Sequence, residues 1–411
     1  MALAAGRMTL KKKYRLLEVT GIELQYMVVD RATLAVRSSD ELLLKDASVP
    51  TGDVDRSPEP VGHVIELKTT KPTRNIPRFR KKFHSEVVSI NAVLEKQGCM
   101  LMPTGMHPFM DPTTSAAIRG NGFSAQNAVY GSIFDLLSHG WSNVQSMHLN
   151  LPFANDDEFA KLHAAIRVLL PIIPALSASS PILDGRIGGA LDMRMQHYMR
   201  AHEKLPQIIG QTIPEAVFNQ EDYYREVFAP MAQALAPFDK EQVLDHFSVN
   251  SRGAIARFDR GSIEIRVIDM QECPGADLAI AELISATIKG LCSGKWMSSY
   301  VQRAWHESDL LALLKAVIEK AGGAGIGNAE YLRMFGIEAE KATANDIWEK
   351  LFDEVRNDLS PACQEHIALI LEKGCLGARI LKRTGKAPDH AKLVEVYSEL
   401  AKCLAEDKAF V

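Results

Sequence analysis

Four short stretches of the chain share one pattern. In GIELQYMVVD (21–30) Glu23 and Gln25 stand two apart, and in VIELK (64–68) so do Glu66 and Lys68. In MHLNL (147–151) the pair is His148 and Asn150, and in SIEIRVID (262–269) it is Glu264 and Arg266. Alternation along a strand puts each pair on one face and the intervening Ile, Leu and Val on the other. For one strand alone this is an ordinary edge, apolar inward and polar to water. Four strands with Glu, Gln, His and Asn at mid-strand read instead as a sheet whose polar face lines a site. Carboxylate oxygens supported by amide and imidazole suit hard Mg2+ ions, which in turn hold nucleotide phosphates. Arg266, about 6.7 Å beyond Glu264 on the same face, has the reach and the fork to hold a phosphate or a substrate carboxylate.

These residues need elements to position them. Strands are predicted over 16–30 and 61–70, joined through the turn-rich loop KDASVPTGDVDRSPEPVG (45–62). Phe79, Phe83, Val87, Ile90 and Leu94 recur at helical spacing over 78–98, and Gly98 ends that helix. Strand alternation resumes in HGWSNVQSMHLNLPF (139–153). DDEFAKLHAAIRVLLPIIPALSASS (156–180) is a helix with Asp156 or Asp157 near its N-terminus and Pro171 close to its end. A helix over 190–204, a strand in RGSIEIRVIDM (260–270) and a helix over 276–291 follow. Beyond about residue 300 the pattern is helical, over 307–321, 343–358, 362–384 and 389–406. Strands early, helices between them and a helical tail do not alternate regularly enough for a doubly wound sheet, so the fold class is α+β.

Composition excludes several functions. Forty-seven basic against 51 acidic residues leave a net charge of −4, so no global positive field invites nucleic acid or an anionic membrane. The basic stretch RNIPRFRKKFH (74–84) reads as a solvated helix start after Pro72 and Pro77. Six scattered cysteines without a CxxC argue against zinc or a disulfide framework and fit a reducing compartment; Cys273 reads as structural. The lysines of MALAAGRMTLKKKYRL follow its apolar start, the reverse of a secretory signal, and no run of about 18 apolar residues occurs. A cytoplasmic location is expected. Gly185, Gly188 and Gly189 lack the GxxxxGK[ST] of a phosphate loop and read as a flexible loop near the pocket.

The order of GIELQ, VIELKTT, PTGMHPF, MHLNLPF, PALSASSPILDGR with Arg194 nine residues after Gly185, and SIEIRVID resembles glutamate–cysteine ligase family 2. These carboxylate–amine ligases are related to glutamine synthetase. The resemblance runs over about residues 16–292. It implies a curved antiparallel sheet with a ligand-lined inner face and helices outside, here a catalytic domain over 16–300 with a helical region over 301–411 packed on it. It also implies ATP-dependent ligation, in which a carboxylate is phosphorylated and an amine then displaces the phosphate. In that scheme Glu23, Gln25, Glu66, His148, Asn150 and Glu264 hold Mg2+. Glu23, Gln25, Glu66, Lys68 and Arg266 hold the nucleotide, with Arg266 beside the transferred phosphate. Arg194, Arg186 and His107 face the acidic substrate, although His107 reads equally well as a satisfied structural histidine. Gln25 replaces an expected glutamate, and GRIGGALDMR lacks the Asp-Thr-Gly-Tyr pattern before the arginine. The first departure removes a charge from the metal set; the second leaves open glutamate plus cysteine or another pair. The alternative is a nucleotide-binding protein that has lost catalysis. Small-molecule partners and a homodimer are expected, since apolar stripes such as Leu393, Val396, Leu400 and Leu404 need a surface to cover.

Overall fold

The computed structural model describes residues 14–38, 52–120 and 123–411, so the lysines at 11–13 and the first part of the 45–62 loop lie outside the described residues. A seven-stranded sheet organises the chain. Its strands are β1 (Gly21–Asp30), β2 (Val54–Pro58), β3 (Val64–Thr69), β4 (Cys99–Met102), β5 (Ser146–Pro152), β6 (Ala254–Arg257) and β7 (Ser262–Asp269). They lie in the order β2-β3-β1-β5-β7-β6, all antiparallel, and β4 pairs with Met27–Asp30 of β1 where β5 has stopped at Leu24. The α+β expectation holds. Ile22, Leu24, Tyr26 and Val28 are buried on one face of β1, as the alternation requires.

Two strands went unread. β2 lies inside the stretch taken for a loop; it is an edge strand, where Pro58 at its end breaks no ladder. β4 follows Gly98, whose φ of +67° turns the chain back along the sheet. β1 begins at Gly21 rather than 16, after a turn.

The longer helices are α1 (Arg80–Glu95), α2 (Ser124–Ile133), α3 (Asp156–Leu169), α4 (Met193–Ala201), α5 (Pro274–Cys292), α6 (Glu307–Lys320), α7 (Ala344–Val355), α8 (Pro361–Lys373), α9 (Leu376–Thr384) and α10 (His390–Glu406). The cap of α3 is Asn155, one residue earlier than expected, whose side chain accepts the Glu158 amide at 3.0 Å. That helix stops at Leu169, because Pro171 cannot continue it. The helix expected over 362–384 is two, parted at Gly374 with φ +91°. Arg80, in the basic stretch, pairs with Asp407 at 2.6 Å and ties α1 to the end of α10.

One apolar core runs from Ile22 and Leu24 through α3 and α5 to Trp348 and Leu351 of α7 and Ile367 of α8. A second cluster gathers Met27, Val29 and Met102 with Ile380 of α9 and Val396 and Leu400 of α10. On β1, therefore, the face that carries Glu23 and Gln25 turns apolar at Met27, where the C-terminal helices cover it.

Three core histidines are held neutral. Burial, with Arg167 adding to it, pushes the His163 ring down to about 3 while its Nδ1–H donates to the Val217 carbonyl at 2.8 Å. Burial brings His107 and His202 down to about 4. An unfolded chain takes up these protons below about pH 6.5 and the folded one does not, so each ring's contribution is intact above that pH and falls by up to about 1.4 kcal/mol per unit below it. His163→Asn, whose amide can keep the bond to Val217, should be less stable at pH 7.5. Its urea midpoint should nevertheless fall less steeply than that of the wild type between pH 6.5 and 4.5. Parallel profiles would show that the ring titrates normally.

Candidate active site

Strand register brings the predicted residues together. Glu23 lies opposite His148 across β1–β5 and opposite Lys68 across β1–β3, Gln25 opposite Glu66, and Asn150 opposite Glu264 across β5–β7. His148 Nδ1 faces Glu23 Oε2 at 3.1 Å and Glu264 Oε1 at 3.7 Å. Glu23, His148 and Glu264 each offer a ligand atom, all within 4.8 Å of one another. Two carboxylates and an imidazole around so small a space suit a divalent cation such as Mg2+ or Mn2+. Asn150 supports this group from the side, its Nδ2 donating to Glu23 Oε1 at 3.2 Å. Burial works to raise the Glu264 carboxyl, but the Arg266 guanidinium, then His148 and Arg257, hold it at about 2. It stays charged.

A second acidic group lies beside the first. Glu66 Oε1 accepts from Ser57 Oγ at 2.6 Å and Lys68 Nζ at 3.1 Å. Sequence reading missed Glu59, which follows β2 and lies beside Glu66 and Gln25. Desolvation of its carboxyl, then the charge of Glu66, raises Glu59 well above the ordinary carboxylate range. Burial also opposes charge on Glu66, but Lys68, Ser57 and His148 hold it below its ordinary value. No sequence signal marked Glu59, because the strand that delivers it was read as loop.

Gln25 is corrected. Its Oε1 accepts from the Ser146 amide at 2.9 Å and from Ser146 Oγ at 3.1 Å, and its amide group faces Glu59. Both lone pairs of its oxygen are thus taken by Ser146, which leaves that oxygen no free pair for a metal.

Arg266 Nε donates to Glu264 Oε1 at 2.7 Å, and among the described residues no hydrogen bond engages its terminal nitrogens. Arg194 sits behind it. Its Nε pairs with Asp269, and Nη1 and Nη2 reach the Arg266 carbonyl at 3.4 and 3.3 Å. Asp269 in turn accepts from the Ser179 amide at 2.9 Å and Ser180 Oγ at 2.7 Å. The LSASSP stretch thus anchors a buried Ser–Asp–Arg chain under Arg266. With a side chain 3% exposed, Arg194 is committed to that chain.

His107 does not line the site, which corrects the substrate-binding reading. Its Nε2 reaches the Leu34 carbonyl at 2.8 Å and its Nδ1 accepts the Phe109 amide at 3.2 Å, so both nitrogens are occupied in a ring 1% exposed. Arg186 lies exposed on a small hairpin, Ile182–Leu183 against Arg186–Ile187, turned by Gly185 at φ +71°. The glycines read as a flexible loop belong to this hairpin and its exit. Cys273 is buried before α5, where burial raises its thiol well above the ordinary value, in keeping with a structural role.

Comparison with known proteins agrees with this architecture. The description of glutamate–cysteine ligase family 2 matches residues 19–398. An uncharacterized protein of Archaeoglobus fulgidus is 28% identical over 396 residues, 95% of this chain and 100% of that one. Among solved structures, glutamate–cysteine ligase from Francisella tularensis, crystallised in complex with AMP, superposes with a TM-score of 0.58 at 13% identity, over 95% of this chain and 90% of that one. A bifunctional glutathione synthetase from Pasteurella multocida superposes with a TM-score of 0.60 at 12% identity, over 94% of this chain and 52% of that one. With the family's description matched along nearly its whole length, the chain belongs to glutamate–cysteine ligase family 2.

Proposed function

We propose that this protein is an ATP- and Mg2+-dependent carboxylate–amine ligase that activates glutamate or a similar acid and joins it to an amine such as cysteine or another amino acid. The observation that carries this reading is the Glu23–His148–Glu264 group, its ligand atoms within 4.8 Å of one another, with Arg266 2.7 Å from Glu264. A carboxylate is a poor electrophile because its leaving group is oxide. Transfer of the terminal phosphoryl of ATP to the acid creates a leaving group that the amine displaces. In such a reaction the protein supplies position and fixed charge.

The residues divide that task. Glu23, His148 and Glu264 would hold one divalent ion, and the Glu59–Glu66 pair offers carboxylates to a second. Bound Mg2+ would neutralise phosphate oxygens. Arg266 keeps its terminal N–H groups free for the transferred phosphate, and Glu264 fixes their direction. Arg194 and Asp269 support the Arg266 backbone from below. Arg186, exposed on its hairpin, remains the candidate contact for the acyl donor. No helix among the described residues is long and apolar enough to cross a membrane.

The test is incubation with ATP, Mg2+ and a panel of amino acids, read as ADP release and product mass. ADP is expected only when a productive acid and amine are both present. Tight ATP binding with silence across a broad panel would favour the nucleotide-binding alternative, for which Gln25 in place of a carboxylate is the motivating residue.

A further inference from the structure

A line of close polar contacts, Gln25, Ser146 and His148, leads from the second acidic group to Glu23. Its proton order starts from the one group that can only donate. The Ser146 backbone N–H can only donate, so the Gln25 atom facing it at 2.9 Å is Oε1, an acceptor. That same oxygen lies 3.1 Å from Ser146 Oγ and cannot donate, so this contact is a hydrogen bond only when the serine hydroxyl turns to Gln25 rather than to His148 Nε2. Ser146 Oγ then has only lone pairs to offer His148 Nε2, 2.8 Å away. With the hydroxyl on Gln25, Nε2 carries the hydrogen. In the neutral ring Nδ1 is left with its lone pair, facing Glu23 Oε2 at 3.1 Å and Glu264 Oε1 at 3.7 Å. A lone pair aimed at two carboxylate oxygens is repulsive on its own and favourable with a cation among the three.

We propose that Ser146 and Gln25 are positioning residues that fix the His148 tautomer, so that Nδ1 is the metal-ligating nitrogen of this site. The inference rests on the metal-site reading of the Glu23–His148–Glu264 group and deepens it. Metal-bound histidines are commonly oriented by a hydrogen bond to the other ring nitrogen, and here a serine hydroxyl held by a glutamine takes that place. Position 25 acts on the metal through the histidine. An amide there holds Ser146 through its oxygen and sets an uncharged group beside Glu59. A glutamate would keep the bond to Ser146 and add a charge beside Glu59.

Two measurements on the full chain test this. Nitrogen-15 NMR of the metal-free protein at alkaline pH should report His148 as the Nε2–H tautomer. Ser146→Ala should populate the Nδ1–H form, whereas Ser146→Thr, which keeps the hydroxyl, and Gln25→Glu, which keeps the acceptor, should leave the ring as it is. Titration with Mn2+ alone should show affinity falling about 10- to 100-fold in Ser146→Ala and recovering in Ser146→Thr, with melting temperatures unchanged. If the His148 tautomer is the same in Ser146→Ala as in the wild type, the proposal is overturned, whatever the activity. If instead wild type and Glu264→Gln bind Mn2+ equally poorly, the metal-site reading itself fails. The two failures are thereby kept apart.

Discussion

Replacing Glu23 by glutamine is expected to lower ATP-dependent ligation by about 10³-fold or more with little change in melting temperature. Glu23 is the residue that touches both sides of the site, receiving Asn150 on Oε1 and facing His148 through Oε2. An amide keeps the size and one acceptor but removes a charge from a group whose purpose is to concentrate negative charge within 4.8 Å. Its side chain is 17% exposed, so its loss leaves no deeply buried partner unpaired. Turnover under saturating acid, amine and ATP, together with Mn2+ titration, checks it. ATP consumption within tenfold of wild type would mean that the polar face of β1 is only a watered edge.

The second large effect concerns stability. Arg379→Met is expected to cost about 3–5 kcal/mol, a large part of the roughly 5–15 kcal/mol by which a domain is stable. Arg379 of α9 pairs with Glu272, just past β7, at 2.7 Å, and their side chains are only 3% and 1% exposed. The same guanidinium also reaches the carbonyls of Gly374 and Phe410. Removing it strands a carboxylate in the interior, whereas the double variant Arg379→Met/Glu272→Met removes both charges and should recover part of the loss. Urea unfolding of the single and double variants decides between them. A single-variant cost below about 1 kcal/mol would show that the pair contributes no more than a surface pair does.

The sequence showed the acidic strands clearly because their grammar is local: Glu23, Glu66, His148 and Glu264 each interrupt an apolar alternation that a reader can count. What escaped was set by tertiary context. β2 carries only five residues and ends in Pro58, so composition masked it, and Glu59 and Ser57 were lost with it. His107 and Arg194 were recognisable as residue types suited to a ligand, yet both are occupied by partners distant in sequence, Leu34 and Asp269. Gln25 looked like a weakened ligand because its partner Ser146, 121 residues away, could not be foreseen.

One irregularity of the sheet has a further consequence. Met147 pairs with Ile268 but Leu149 pairs with Ile265, so His148 faces two residues of β7, Arg266 and Val267. This bulge reverses the parity of the strand: Ile265, Val267 and Ile268 all enter the core, and Asp269 rather than Ile268 turns to Arg194. What matters between Glu264 and Asp269 is therefore the number of residues as much as their kind. A substitution within this stretch changes one side chain, but the gain or loss of a single residue would turn Asp269 toward the apolar side and leave Arg194 without its anchor. Here a change of length is costlier than a change of side chain.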